Sequence, residues 1–168
     1  MARPASASFG PAWQPHSPTR QGGEASGIHG GRLALRIGGA VALLVMGAVH
    51  LQQYLGAEYS ALPTIGTLFV LNFAGAVVLA AGLLLPIERF AERAGALLVP
   101  LFALAGAAMA ATSIVFLLVS ESTSLFGFME DGYRTAIVIA LAAEGAAVLL
   151  LGAYLLAGLA KGRAQRPL

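Results

Sequence analysis

Glu144 is the residue in this chain whose setting most demands a chemical explanation. It stands alone as an acid in the apolar stretch Ile137–Leu159. A carboxyl group at mid-membrane is costly, so such residues pair inside the protein, carry protons or anchor ligands. Asn72 is the expected partner. It interrupts the apolar stretch Leu62–Leu85, and its amide can donate to a carboxylate or accept from a protonated one. His50 is the one histidine in the apolar region, near the outer end of Leu33–Leu55. Thr112 and Ser113 fall at comparable depth in Ala94–Val119, as do Thr64 and Thr67 in the second stretch. Together these groups could line a polar vestibule. There His50 would serve as a ligand, quinone or metal contact, or as a proton relay to Glu144.

A second set of polar groups falls in the outer connections. Glu58, Glu130 and Asp131, with His50, are the right types for a divalent cation. Their spacing matches no established ligand pattern, so no metal site is assigned. The tyrosines and phenylalanines at this level, among them Tyr54, Tyr59 and Phe126, suit an aromatic belt at the membrane–water interface. Catalytic signatures are absent from the sequence. It has no Ser/His/Asp set, no HExxH, no paired carboxylates within a span and no nucleotide-binding glycine loop. A bis-histidine haem needs two axial ligands, and the spans of one chain supply one. No cofactor is expected. The basic residues are too few and too scattered for a nucleic-acid surface.

The elements that must position these groups follow from hydropathy. The chain is 58% hydrophobic and 11% charged, against about a quarter charged in soluble domains. Each of the four stretches Leu33–Leu55, Leu62–Leu85, Ala94–Val119 and Ile137–Leu159 can cross a hydrocarbon core about 30 Å thick. The first exceeds the length of a signal-peptide core and ends in no small-residue cleavage site, so it reads as an uncleaved span. Pro63 suits a first helical turn, and Pro86 ends the second span. Small residues recur at packing spacing: Gly38 and Ala42, Gly75 and Gly82, Ala103 and Ala107, Ala140 and Ala147. In lipid, backbones approach closely at such positions. The short connections then predict an all-α, integral membrane, antiparallel four-helix bundle.

Residues 1–31 are rich in Pro, Gly, Ser and Ala and lack an apolar period, which predicts a disordered tail. His16 and His29 lie in it without a second ligand nearby in sequence. Residues 32–160 form the membrane domain, and 161–168 a short basic tail. All but Arg134 of the ten Lys and Arg residues fall on one side of the spans. The positive-inside rule places that side, with both termini, in the cytoplasm of a cell whose inner or plasma membrane holds the protein. Cysteine is absent, which removes disulfides and thiolate chemistry.

The run Gly47–Asn72, GAVHLQQYLGAEYSALPTIGTLFVLN, resembles short actinobacterial membrane proteins, and the four-span layout is broadly DoxX-like. That resemblance covers the spans but not the tail, and brings no catalytic motif. Three functions follow from the residues. The first is a non-enzymatic accessory or assembly subunit, with a membrane-protein partner or a second copy, in which the acid–amide pair fixes packing. The second is a small transporter or proton-coupled ligand-binding module using Glu144. The third is a membrane anchor for quinone or haem.

Overall fold

The computed structural model describes residues 21–56, 59–124 and 134–164, excepting the side chains of residues 21–29, 60, 90, 161 and 164. Its helices are α1 (Gln21–Gly56), α2 (Pro63–Leu84), α3 (Ile87–Phe90), α4 (Glu92–Ser122) and α5 (Thr135–Ala164), with a single 3-10 turn at Tyr59–Ala61. Four of them are long and apolar enough to cross a membrane. The protein is an all-α helical bundle of the integral membrane kind.

Burial is inverted relative to a soluble bundle. Large apolar side chains such as Leu97 (75% exposed) and Leu149 (73%) point outward, where hydrocarbon is their solvent. The interior is built largely from small residues, including Ala40, Ala76, Ala80, Ala103, Ala110 and Ala147, with Leu43, Met46, Leu83 and Leu151 filling between them.

The cross-section is a square. Helix α1 packs against α2 and α5, and α4 packs against α5 and α2. The α1–α4 diagonal touches slightly, while α2 and α5 face each other across the other diagonal. Neighbours run antiparallel. The start of α1 meets the end of α5, where the Arg32 guanidinium lies 4.9 Å from the centre of the Tyr154 ring. The far end of α1 meets the start of α2, where His50 and Phe69 touch edge to face at 5.1 Å. We call the end carrying α3 proximal and the end carrying the 3-10 turn distal.

Two differences from the sequence reading concern boundaries. Helix α1 begins at Gln21, so residues 21–31 of the expected disordered tail are helical. The last proline before them is Pro18, and extending a helix from an existing span avoids the cost of nucleation. Residues 1–20 lie outside the described residues. Helix α5 likewise runs on to Ala164, into the expected basic tail.

Arg36 closes the proximal end. Its guanidinium donates to the Leu83 carbonyl, to the Leu85 carbonyl at 2.9 Å, and to Glu88. It thereby adds a donor to carbonyls at the end of α2, of which that of Leu85 also accepts from the Ile87 N–H. Partial burial works against the Glu88 charge. Hydrogen bonds from its own backbone N–H and from Arg36, with the attraction of the guanidinium, outweigh that and hold its carboxyl below the ordinary range.

Close packing singles out Gly47, a position beyond the small-residue pairs read from sequence. A Cβ there would stand 2.8 Å from the Ala76 Cβ and 3.4 Å from the Phe73 Cα, so backbone blocks it. Gly145 has nothing within 4 Å of the same position. Gly47→Leu should therefore cost about 1–3 kcal/mol through overpacking. Gly145→Ala should be neutral or stabilise by up to about 1 kcal/mol through helix propensity. Thermal unfolding of the two variants in one detergent measures the contrast, and equal effects would contradict the close α1–α2 approach.

Candidate functional site

Glu144 lies about 14 Å along α5 from its distal start, at a rise of 1.5 Å per residue. It is 1% exposed, against the apolar residues of the core. Its Oε1 accepts a hydrogen bond from the Ser113 hydroxyl at 2.5 Å. The Ser113 oxygen is also 3.3 Å from His50 Nε2. His50 Nδ1 lies 2.9 Å from the Met46 carbonyl, one turn back on its own helix. His50 Nε2 and Glu144 Oε1 are 3.9 Å apart. Helices α1, α4 and α5 therefore each supply one member of a short chain: imidazole, hydroxyl, carboxyl.

Counting protons gives this chain its chemistry. A carbonyl only accepts, so His50 Nδ1 carries hydrogen and donates to Met46. Ser113 has one hydroxyl proton and two contacts. If Ser113 donates to Glu144, then His50 Nε2 must carry a proton and donate to the Ser113 oxygen. If Ser113 donates to His50 Nε2 instead, then Glu144 must carry the proton and donate to Ser113. Both arrangements satisfy every contact, and both hold one mobile proton. Two coupled proton hops, from Ser113 to Glu144 and from His50 to Ser113, convert the first into the second, which is the minimal requirement for a proton relay.

Asn72 makes no direct hydrogen bond to Glu144. The expected acid–amide bond is absent from the structure. Depth alone suggested it, but Asn72 is on α2 and Glu144 on α5, and these helices are diagonal rather than adjacent. The two side chains meet a common space instead. A cavity of about 360 Å³ in the distal half of the bundle is lined by both, and by His50, Gln53, Ser113 and Thr112. Ser120 adds a hydroxyl already bonded to the Leu117 carbonyl at 2.8 Å, and apolar walls come from Ile65, Leu68, Phe69, Met109, Phe116, Leu117 and Ile137. Tyr59 and Arg134 line its distal end, where Arg134 donates to the Tyr59 hydroxyl at 2.5 Å.

Three oxygens at this cavity are buried without a hydrogen-bond partner: Gln53 Oε1, Asn72 Oδ1 and Glu144 Oε2. Such groups are uncommon in folded proteins and call for a reason. Gln53 is absent from the candidates above, although it follows His50 at the spacing that places two residues on one helix face. The cavity itself had none, because it depends on how far the helices separate.

That separation is uneven. Helices α2 and α4 meet proximally, where Gly82 receives the Phe102 ring and Gly75 receives Met109. Distally, Leu71, Thr112 and Phe116 both line the cavity and are exposed on the outer surface. Lining residues of the cavity thus reach the outer surface on the flank shared by α2 and α4. Thr64 and Thr67 do not contribute. Both are exposed, and the Thr67 hydroxyl bonds back to the Pro63 carbonyl at 2.6 Å. Glu58, Glu130 and Asp131 lie outside the described residues. Among the described residues no three His, Cys, Asp or Glu side chains gather as a metal site.

Ser113→Ala removes the middle of the relay and strands both Glu144 Oε1 and His50 Nε2. Leaving buried polar groups unpaired should cost about 1–3 kcal/mol. Thr112→Ala, one residue away but exposed, should cost under about 0.5 kcal/mol. Chemical unfolding of both variants in mixed micelles reads the difference, and equal stability would remove Ser113 from the account. The chain matches no protein-family model, no curated protein and no solved structure, so its site is defined by its own geometry.

Proposed function

We propose that this protein is a multi-pass cell-membrane module that binds a small lipid-phase molecule and couples its occupancy to a proton held by His50, Ser113 and Glu144. The observation that carries this reading is the Glu144 carboxyl. One oxygen belongs to the relay, the other is buried without a partner, and the side chain lines a cavity large enough for a drug-fragment-sized molecule. A carboxyl serving only as packing glue would bond a neighbouring helix with both oxygens or pair with an amide. Glu144 does neither, which favours binding over a purely structural role. Apolar walls with a few convergent polar groups are the ordinary composition of a ligand site. A lining that reaches the outer surface suits a molecule that partitions into the bilayer before it binds.

The orientation belongs to the same proposal. The proximal end bears Arg32, Arg36, Arg89 and Arg93, which by the positive-inside rule faces the cytoplasm. The cavity then lies in the outer half of the membrane. A reporter fused after Leu168 should be active only in its cytoplasmic form. Activity of the exported form would reverse the orientation and place the cavity in the inner half.

Binding is tested with 1-naphthylmethanol, an apolar body with one hydroxyl, titrated calorimetrically into the protein in lipid nanodiscs. Saturable binding at one molecule per chain is expected. Ala140 is 8% exposed and lines the cavity, so Ala140→Trp should fill the space and weaken binding at least tenfold. Heats equal to those of protein-free nanodiscs, or binding indifferent to Ala140→Trp, would contradict the reading.

A further inference from the structure

We propose that the ligand taken by this cavity is a lipophilic primary amine, whose ammonium group binds Glu144 in exchange for the relay's mobile proton. This rests on the ligand-binding reading above and adds the chemical class of the ligand. It begins with the sense of the unmet hydrogen bonds. Gln53 Oε1, Asn72 Oδ1 and Glu144 Oε2 are buried acceptors without a donor, and a ligand that donates would meet them. A quinone ring offers carbonyl acceptors and leaves them unmet. An alcohol brings one donor. A primary ammonium brings three donors and a positive charge.

Charge points the same way. Among the described residues, the groups facing Glu144 are His50 and Gln53 from α1, Asn72 from α2 and Ser113 from α4. Arg134 and Tyr59 close the distal end of the cavity, about 15 Å along α5 from Glu144 at 1.5 Å per residue. No fixed cation therefore stands beside the carboxylate to take the place of an incoming ammonium. The cavity walls also present the faces and edges of Phe69 and Phe116, and aromatic rings attract cations through their quadrupole.

The exchange balances. The relay with its one mobile proton is neutral overall, whether that proton resides on Glu144 or on His50. An arriving R–NH3+ pairs with the Glu144 carboxylate. The mobile proton leaves, because retaining it would place a second positive charge, on His50, within the same apolar site. His50 keeps its Nδ1 hydrogen on Met46, and Ser113 donates to His50 Nε2. One cation enters, one proton departs, and no covalent bond to carbon or nitrogen is made in the ligand. Proton and ammonium compete for one carboxylate, so affinity for the amine should rise with pH.

Three ligands with one naphthyl body separate the possibilities: 1-naphthylmethylamine, its N,N,N-trimethyl ammonium derivative and 1-naphthylmethanol. Each is titrated into the full chain in nanodiscs at pH 7, in two buffers of different ionisation heat, so that calorimetry reads protons released. The amine should bind at least tenfold more tightly than the alcohol and release about one proton. The trimethyl cation, lacking N–H donors, should bind more weakly than the amine. Glu144→Gln should abolish both the preference for the amine and the proton release while still binding the alcohol. An amine no tighter than the alcohol would overturn the inference and leave the ligand site standing, as would proton release that survives Glu144→Gln. Failure of all three ligands to bind would remove the site and the inference together.

Discussion

One hydrogen bond organises the distal half of this protein: Ser113 to Glu144. A carboxyl group in an apolar bundle must be bonded or it destabilises everything around it. Ser113 supplies that bond at 2.5 Å, and only a helix adjacent to α5 can do so. The bond therefore fixes the rotation of α4 against α5. His50 then enters from α1 on the opposite flank of α5, with its ring oriented by the Met46 carbonyl and by the edge of Phe69. Three helices are thus registered at one level by one polar chain. The fourth, α2, takes no part in it, and that is why α2 can stand away from α4 and leave a cavity.

The proximal half is held differently. There small residues receive facing side chains, as Gly82 receives Phe102 and Gly39 receives Leu151, and Arg36 ties α1 to the end of α2 and to Glu88. Packing is dense and polar contacts sit at the membrane edge. The protein is consequently asymmetric along its axis, with a tightly closed proximal half beneath a more open distal one.

Much of this was legible in the residues. Hydropathy located all four spans, because a membrane imposes a minimum apolar length on any helix that crosses it. Glu144, His50 and Ser113 each stood out as polar groups in apolar runs. Their grouping did not, because hydropathy reports depth and not the order of helices around the bundle. Asn72 and Glu144 match in depth, yet they sit on diagonal helices. Thr64 and Thr67 also match His50 in depth, yet they face outward. The spans are apolar on every side, so no polar stripe marks which face turns inward. Gly47 shows the same limit: it meets Ala76 and Phe73 closely while Gly145 meets nothing, and only helix rotation distinguishes the two. The start of α1 was misplaced because composition describes an isolated tail, whereas Gln21–Gly31 is attached to a helix already formed.

The central claim is that His50, Ser113 and Glu144 hold one shared proton. Nitrogen-15 NMR of the His50 imidazole in nanodiscs tests it most directly, followed through a pH titration in the parent protein and in Ser113→Ala. The account predicts an Nδ1-protonated ring throughout. It predicts an Nε2 shift that responds to the state of Glu144 in the parent and loses that response in Ser113→Ala. An Nε2-protonated neutral tautomer, or a His50 titration identical in the two proteins, would contradict the relay.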